Sequence, residues 1–250
     1  MKICDAHVHV GTPLNGDIPP EASPRFVADL LKTCGINEFI FSSLDSQMGS
    51  PFEVVEKSAI ETKAAFGPGA HAFYWLAGCF YDADSDLKAL DSGIWDGVKL
   101  HEKETPWVKE LPRDLDRILS LLEERDIPVQ FHTGEDAGCY PHELLPFVKR
   151  HPRLRIDFAH CRPYRETIDC LKECQNLFTD TAFMPPESYP ELVSAGVADR
   201  VMFGTDFPTH VTCYAGTAEE LYRNDLEGAH EYGYSDAVMF STFRRFLGKA

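Results

Sequence analysis

The chain has 250 residues, 44% of them hydrophobic, with 40 acidic against 24 basic side chains and a formal charge of -16. That length and apolar content suffice for one large core, so residues 1–250 are read as a single domain. The negative charge would repel the phosphates of nucleic acid and of anionic membranes, which leaves a small molecule as the expected partner.

Strand and helix signals alternate along the chain. Lys2 to Val8 is the first strand. Ser23-Pro24, followed by Phe26, Val27, Leu30 and Leu31 up to Gly35, has the N-cap, first-turn proline and terminal glycine of a helix. The loop before it, Gly11 to Ser23, is rich in proline and glycine, as a site cover or an ordinary surface turn would be. Glu38 to Ser43 is the second strand, Pro51 to Ala65 a helix, Ala72 to Leu76 the third strand and Asp84 to Leu90 a short helix. Gly97 to Leu100, Pro128 to Phe131 and Leu154 to Ala159 are the next strands, separated by helices at Leu115 to Arg125 and Pro141 to Arg150. A helix at Tyr164 to Cys174, a strand at Leu177 to Asp180, a helix at Pro186 to Ala195 and a strand at Val201 to Phe203 complete the series. Helices near Ala218 to Gly233 and Ser235 to Leu247 follow.

No segment approaches the roughly 20 apolar residues of a membrane span. Met1-Lys2-Ile3-Cys4-Asp5 lacks the basic and long apolar regions of a signal peptide, so the expected location is the cytoplasm. The eight cysteines contain no Cys-x-x-Cys pair and most are read as reduced, buried thiols, with Cys170 and Cys174 on one helix face. Cys139 and Cys161 lie beside the residues considered next, where packing as small hydrophobes is expected ahead of a ligand role. Oligomeric state stays open, a homo-oligomer included.

His7 and His9 stand at the end of the first strand, where residues i and i+2 share a face, so both imidazoles can grip one cation. Three later strands also run into a metal-competent side chain. Val129-Gln130-Phe131 leads to His132, Leu154 to Ala159 leads to His160, and Arg200 to Thr205 leads to Asp206. These positions fall at the C-terminal ends of strands one, five, six and eight. Only a closed sheet brings the first strand beside the last, so the alternation is read as an α/β (β/α)8 TIM barrel with its site on the C-terminal rim.

These residues resemble the amidohydrolase superfamily of metal-dependent barrel enzymes, and within it the amidohydrolase-related branch that includes aminocarboxymuconate-semialdehyde decarboxylase. The matching pieces are Asp5-Ala6-His7-Val8-His9, Gly97-Val98-Lys99-Leu100-His101, Phe131-His132, Ala159-His160 and Phe203-Gly204-Thr205-Asp206-Phe207-Pro208. The resemblance implies that His7, His9, His132 and Asp206 bind a divalent metal, usually zinc, and that His160 acts on the substrate or binds a second metal. In binuclear members a carbamylated lysine bridges two metals at the place of Lys99, whereas in the related branch a lysine there accompanies one metal and faces the substrate. One metal is expected here, and a Lys99 salt-bridged to Glu102 or Glu104 is the structural alternative.

Three neutral imidazoles and a carboxylate suit zinc, and also accept manganese, iron, cobalt or nickel. A metal in such a site lowers the pKa of water toward about 7. Asp206 is then placed to take the proton from water and pass it to a leaving group, and His160 to polarise a carbonyl or steady an oxyanion. His101 shares the inward side with Lys99 and contacts substrate, or is an exposed loop histidine. Arg162 and Arg165, on the loop after His160, either hold a substrate carboxylate or pair with acids such as Glu166 and Asp169. Tyr140, His142, His210 and Tyr214 are further candidates for the mouth.

The expected activity is hydrolysis of a C–O or C–N bond in a small anionic substrate. A non-oxidative decarboxylase, which needs the same ligands, is the runner-up, followed by a barrel that binds metal without catalysis. A deoxyribonuclease would carry glutamate where this chain has Lys99, and a polymerase-and-histidinol-phosphatase phosphoesterase would need ligands this sequence lacks.

Overall fold

Strand β1 (Cys4–Val10) is buried along its whole length and pairs in parallel with β2 (Glu38–Ser43), which pairs with β3 (Ala70–Trp75). Parallel pairing continues through β4 (Gly97–Leu100), β5 (Val129–His132), β6 (Ile156–Ala159), β7 (Leu177–Asp180) and β8 (Val201–Met202). The segment after β8 returns to β1. Ala6 N–H donates to Phe203 O at 2.8 Å, Asp206 N–H to His7 O at 2.8 Å, and His9 N–H to Phe207 O at 2.6 Å. These bonds bring the first strand against the last, and the eight-stranded sheet forms the expected (β/α)8 barrel.

The structure is a computed structural model that describes residues 2–11, 22–47, 49–76, 83–103, 105–185, 188–209 and 216–249. Most of the proline-rich first loop, Glu104, the start of the helix expected from Pro186, and His210 and Tyr214 lie outside the described residues. The outer ring comprises α1 (Pro24–Thr33), α2 (Leu44–Gln47), α3 (Phe52–Phe66), α4 (Ala83–Ala89), α5 (Pro112–Glu124), α6 (Pro141–Arg150), α7 (Tyr164–Glu173), α8 (Ser188–Ser194), α9 (Ala218–Glu231) and α10 (Thr242–Phe246). The expected punctuation of α1 is present. Ser23 Oγ accepts from Phe26 N–H, and Gly35 takes a left-handed φ of 81° after the last turn. The short α2 has no counterpart in the sequence reading. The last expected helix is a π turn at Ala237–Ser241 running into α10. Among the described residues, no helix is long and apolar enough to cross a membrane.

Two apolar layers result. The larger lies between sheet and helices and takes Val8, Val10, Phe39, Phe41, Tyr74 and their neighbours. The smaller fills the lower barrel with Cys4, Ala6, Ile40, Phe73, Phe178 and Met202, and α10 closes it with Phe243 and Phe246. Strict alternation would turn His7 and His9 away from the face that holds Cys4 and Ala6. The register of β1 against β2 shifts between Asp5 and Val8, and this irregularity puts both pairs inside. The apolar floor therefore gives way, within one strand, to an imidazole pair above it.

Candidate metal centre

Histidines 7 and 9 are oriented from behind. His7 Nδ1 lies 3.0 Å from Asp180 Oδ2, and a carboxylate can only accept, so Nδ1 carries the proton and Nε2 keeps its lone pair. His9 Nδ1 lies 3.0 Å from Ser42 Oγ. Both Nε2 atoms face Asp206, with Oδ1 at 2.8 Å from His9 and 3.4 Å from His7. Asp206 Oδ1 is nonetheless buried without a hydrogen-bond partner, because the contacts are close but not aligned for hydrogen bonding. Donor atoms that converge on a shared point without bonding one another are what a cation site requires. The ligand chemistry fits a divalent metal, since each imidazole turns its other nitrogen to an acceptor or hydroxyl behind it.

Burial opposes the charge on Asp206, yet His7, His9 and His160 outweigh it and hold the carboxyl well below the usual range. Burial lowers His9, His101, His132 and His160, with His160 at about 3 and His101 at about 2, so these imidazoles are neutral near pH 7 and carry the charge that holds Asp206 down only in acid, where its carboxyl titrates. Neutral imidazoles and an ionised carboxylate are the protonation states that bind metal.

The structure gathers the expected residues unevenly. His7, His9 and Asp206 bring their ligand atoms together, as do His7, His160 and Asp180; His132 belongs to neither group. It lies beside them, with its Nδ1 2.9 Å from His160 Nε2. His160 Nδ1 is 3.2 Å from Ala182 O and must donate there, so His160 Nε2 accepts from His132 and leaves the His132 Nε2 lone pair free. Lys99 is fully buried, and its Nζ stands 3.2 Å from His7 Nε2. Burial lowers its pKa against the pull of Asp180, Asp206 and Asp157. Glu102 does not pair with it. That carboxylate accepts from the backbone of Val108 and Lys109 instead.

His101 is buried and stacked between Trp75, at 5.7 Å, and His132, at 3.9 Å. Arg162 pairs with Glu135 at 3.3 Å, its Nε buried without a hydrogen-bond partner. A Cβ on Gly134 would lie 3.6 Å from the Arg162 guanidinium and 3.7 Å from His132 Nε2, which places both at the same part of the rim. Arg165 is exposed and pairs with Glu191. Burial pushes the thiols of Cys139 and Cys161 up to about 11 and about 12, and neither belongs to the groups of converging ligand atoms.

Four residues of this region hold left-handed backbone without being glycine: His160 (φ 76°), Cys161 (49°), Phe183 (54°) and Asp206 (58°). Such strain persists where the surrounding fold imposes it. Gly204 is needed for a different reason. Its missing Cβ would lie 3.1 Å from Asp180 Cβ and 3.2 Å from His7 Cβ, so glycine lets the segment after β8 approach this closely without displacing either side chain.

Sequence reasoning missed Trp75, Asp180 and the polar floor beneath the site. Gln130 Nε2 donates to Asp157 Oδ2 at 2.8 Å and to Ala6 O at 3.0 Å. Burial and the neighbouring Asp180 push the Asp157 carboxyl far above its usual range, whereas His7 holds Asp180 low despite burial.

A family model described as amidohydrolase matches residues 82–237, more than half of the chain. The chain belongs to the amidohydrolase family. No curated protein sequence matches it significantly. Solved structures similar to this amidohydrolase include a probable 2-pyrone-4,6-dicarboxylic acid hydrolase from Acinetobacter baumannii with citric acid bound, at 12% identity and a TM-score of 0.71 over 99% of this chain and 100% of that one. A 2,6-dihydroxybenzoate decarboxylase complexed with 2,6-dihydroxybenzoate is similar at 14% identity and a TM-score of 0.70, over 99% of each chain. An amidohydrolase from Burkholderia multivorans with bound zinc is similar at 14% identity and a TM-score of 0.68, again over 99% of each. At these identities the likeness shows the shared barrel.

Proposed function

We propose that this amidohydrolase is a metal-dependent hydrolase of a C–O or C–N bond in a small anionic molecule. The observation that carries the reading is the convergence of His7 Nε2, His9 Nε2 and the orphaned Asp206 Oδ1 at one buried point. His7, His9, His132 and Asp206 would hold one divalent ion, zinc in first place with manganese, iron, cobalt and nickel as alternatives. When bound, the ion supplies Lewis acidity and a water acidified toward a pKa of about 7. Asp206 accepts the proton of the attacking water and returns it to the departing oxygen or nitrogen. His160, whose Nδ1 proton is held by Ala182 O, would steady the developing oxyanion through Nε2 on taking up a proton there as charge develops. Arg162 meets a substrate carboxylate at the rim, and Lys99 and His101 bound the pocket from strand four. The citric acid in the A. baumannii structure supports an anionic substrate.

A second reading has its own support. Trp75, His101 and His132 stack on one another and offer a planar conjugated acid an aromatic, polarisable side of the site. On such a substrate the same residues serve non-oxidative decarboxylation, in which the C–C bond breaks, carbon dioxide leaves, and the ring carbon keeps the electron pair and takes a proton. The 2,6-dihydroxybenzoate complex supports this lyase alternative.

The deciding experiment measures metal per chain on protein purified without added metal, then turnover after chelation and reconstitution against lactones, amides and aromatic carboxylates. About one equivalent of metal with chelator-sensitive hydrolysis is expected. Release of carbon dioxide from an aromatic acid alone selects the lyase. Protein that neither holds nor takes up metal overturns both.

A further inference from the structure

Behind the rim that carries Asp180 and Asp206 lies a separate cavity of about 410 Å³, within the range that accommodates small ligands. Its inner wall is the end of β7 and the segment after β8, at Thr181, Gly204 and Thr205, and its outer wall is α9. None of the proposed metal ligands lines it, and neither does Lys99 or Arg162.

Two features of the chain are explained by an occupant. Gly228 sits inside α9, has no left-handed φ to require glycine, and weakens the helix relative to alanine. A Cβ there would meet only the Tyr232 ring, at 3.8 Å, so what the glycine provides is open space in the cavity wall. Phe183, in a left-handed backbone conformation and 38% exposed, lines the cavity too, and its ring lies 6.0 Å from that of His160. Large apolar side chains are ordinarily packed rather than kept at a cavity mouth.

The lining sets the chemistry. Phe183, Tyr232 and Tyr234 offer aromatic surface, and Asn224 and Asp225 offer hydrogen-bond acceptors. Among the described residues, no lysine, arginine or histidine lines the cavity, which disfavours an anion in a chain of charge -16. We propose that this cavity is a second small-molecule site, distinct from the metal centre, for a neutral or cationic aromatic molecule that donates hydrogen bonds. Cation–π attraction to the tyrosines and donation to the α9 acceptors would hold such a ligand. The site stands independently of the reaction proposed above.

Ligand-observed NMR with benzylamine, phenol and benzoate as probes tests it, on wild type and on Gly228→Leu. Leucine is a better helix former than glycine and fills the opening, so the variant should fold and keep wild-type metal content. Benzylamine or phenol is expected to bind wild type and to be weakened at least tenfold by Gly228→Leu, whereas benzoate, which the metal centre can take, should bind wild type and Gly228→Leu alike. Failure of both probes to bind at millimolar concentration overturns the site. Equal binding to Gly228→Leu overturns it too, as does benzoate that binds as well as benzylamine and is weakened alike by Gly228→Leu. Should Gly228→Leu fail to fold, Tyr232→Ala, which removes an exposed ring, provides the same comparison.

Discussion

Asp180 Oδ2 accepts the Nδ1 proton of His7 at 3.0 Å, and the same carboxylate's Oδ1 accepts the backbone N–H of His160 at 2.9 Å and of Ala182 at 3.0 Å. One side chain at the end of β7 thus fixes the tautomer of a histidine on β1 and the strained turn after β6. Partners of this kind are typically worth ten- to a hundredfold in metal affinity. Asp180→Asn preserves the shape and removes the charge. It should weaken metal binding by about that factor while the circular dichroism spectrum stays native. Unchanged affinity in a chelator competition assay would remove Asp180 from any role behind His7.

Lys99 separates one metal from two. Its ammonium reaches 3.2 Å from His7 Nε2 in a fully buried position, where a carbamylated lysine would instead present oxygens to two ions. With a single ion, about one equivalent of metal per chain should be found, and Lys99→Gln should retain it while slowing turnover. Two equivalents in the wild type, falling to one in Lys99→Gln, would make Lys99 a bridge.

The barrel and most of its rim were legible in the sequence because both follow local rules. A short apolar run ending in histidine or aspartate reads directly as a strand end, and the closure of β1 on β8 followed from needing His7 and Asp206 together. Asp180 ends the run Leu177-Phe178-Thr179 in the same way, so its signal was present and passed over. Trp75 was not readable, because an aromatic at a strand end is ordinarily core, and only the stack with His101 marks it. The irregularity in β1 was also hidden. Alternation alone cannot show where a strand inverts its faces, and that inversion is what allows Cys4, Ala6, His7 and His9 all to point inward.

Arg162 is predicted to be the anion contact, and Glu135, 3.3 Å away, its competitor. A charge-assisted hydrogen bond contributes roughly 1.5–3 kcal/mol. With citrate as a carboxylate probe, Arg162→Ala should therefore weaken any anion binding by about ten- to a hundredfold, and Glu135→Gln, which frees the guanidinium, should tighten it. Isothermal titration of both variants checks this. Citrate affinity indifferent to both substitutions would place the substrate anion elsewhere.

At the opposite end of the barrel, one carboxylate should make a measurable contribution to acid sensitivity. Burial opposes ionisation of Asp96, yet the neighbouring His71 imidazole and the Lys63 ammonium bring it down to about 2, from an ordinary value of 3.8. Its Oδ2 lies 2.7 Å from Lys63 Nζ and accepts the Ala72 N–H at 3.0 Å. Because the folded value lies below the unfolded one, the ionised form favours folding. The contribution, about 2 kcal/mol at 1.36 kcal/mol per unit, is complete above about pH 4 and is lost as pH falls toward 2. Asp96→Asn should lower stability to urea by about that amount at pH 7, and the gap between variant and wild type should close by pH 2. A gap that stays constant from pH 7 to pH 2 would mean that Asp96 acts through packing rather than charge.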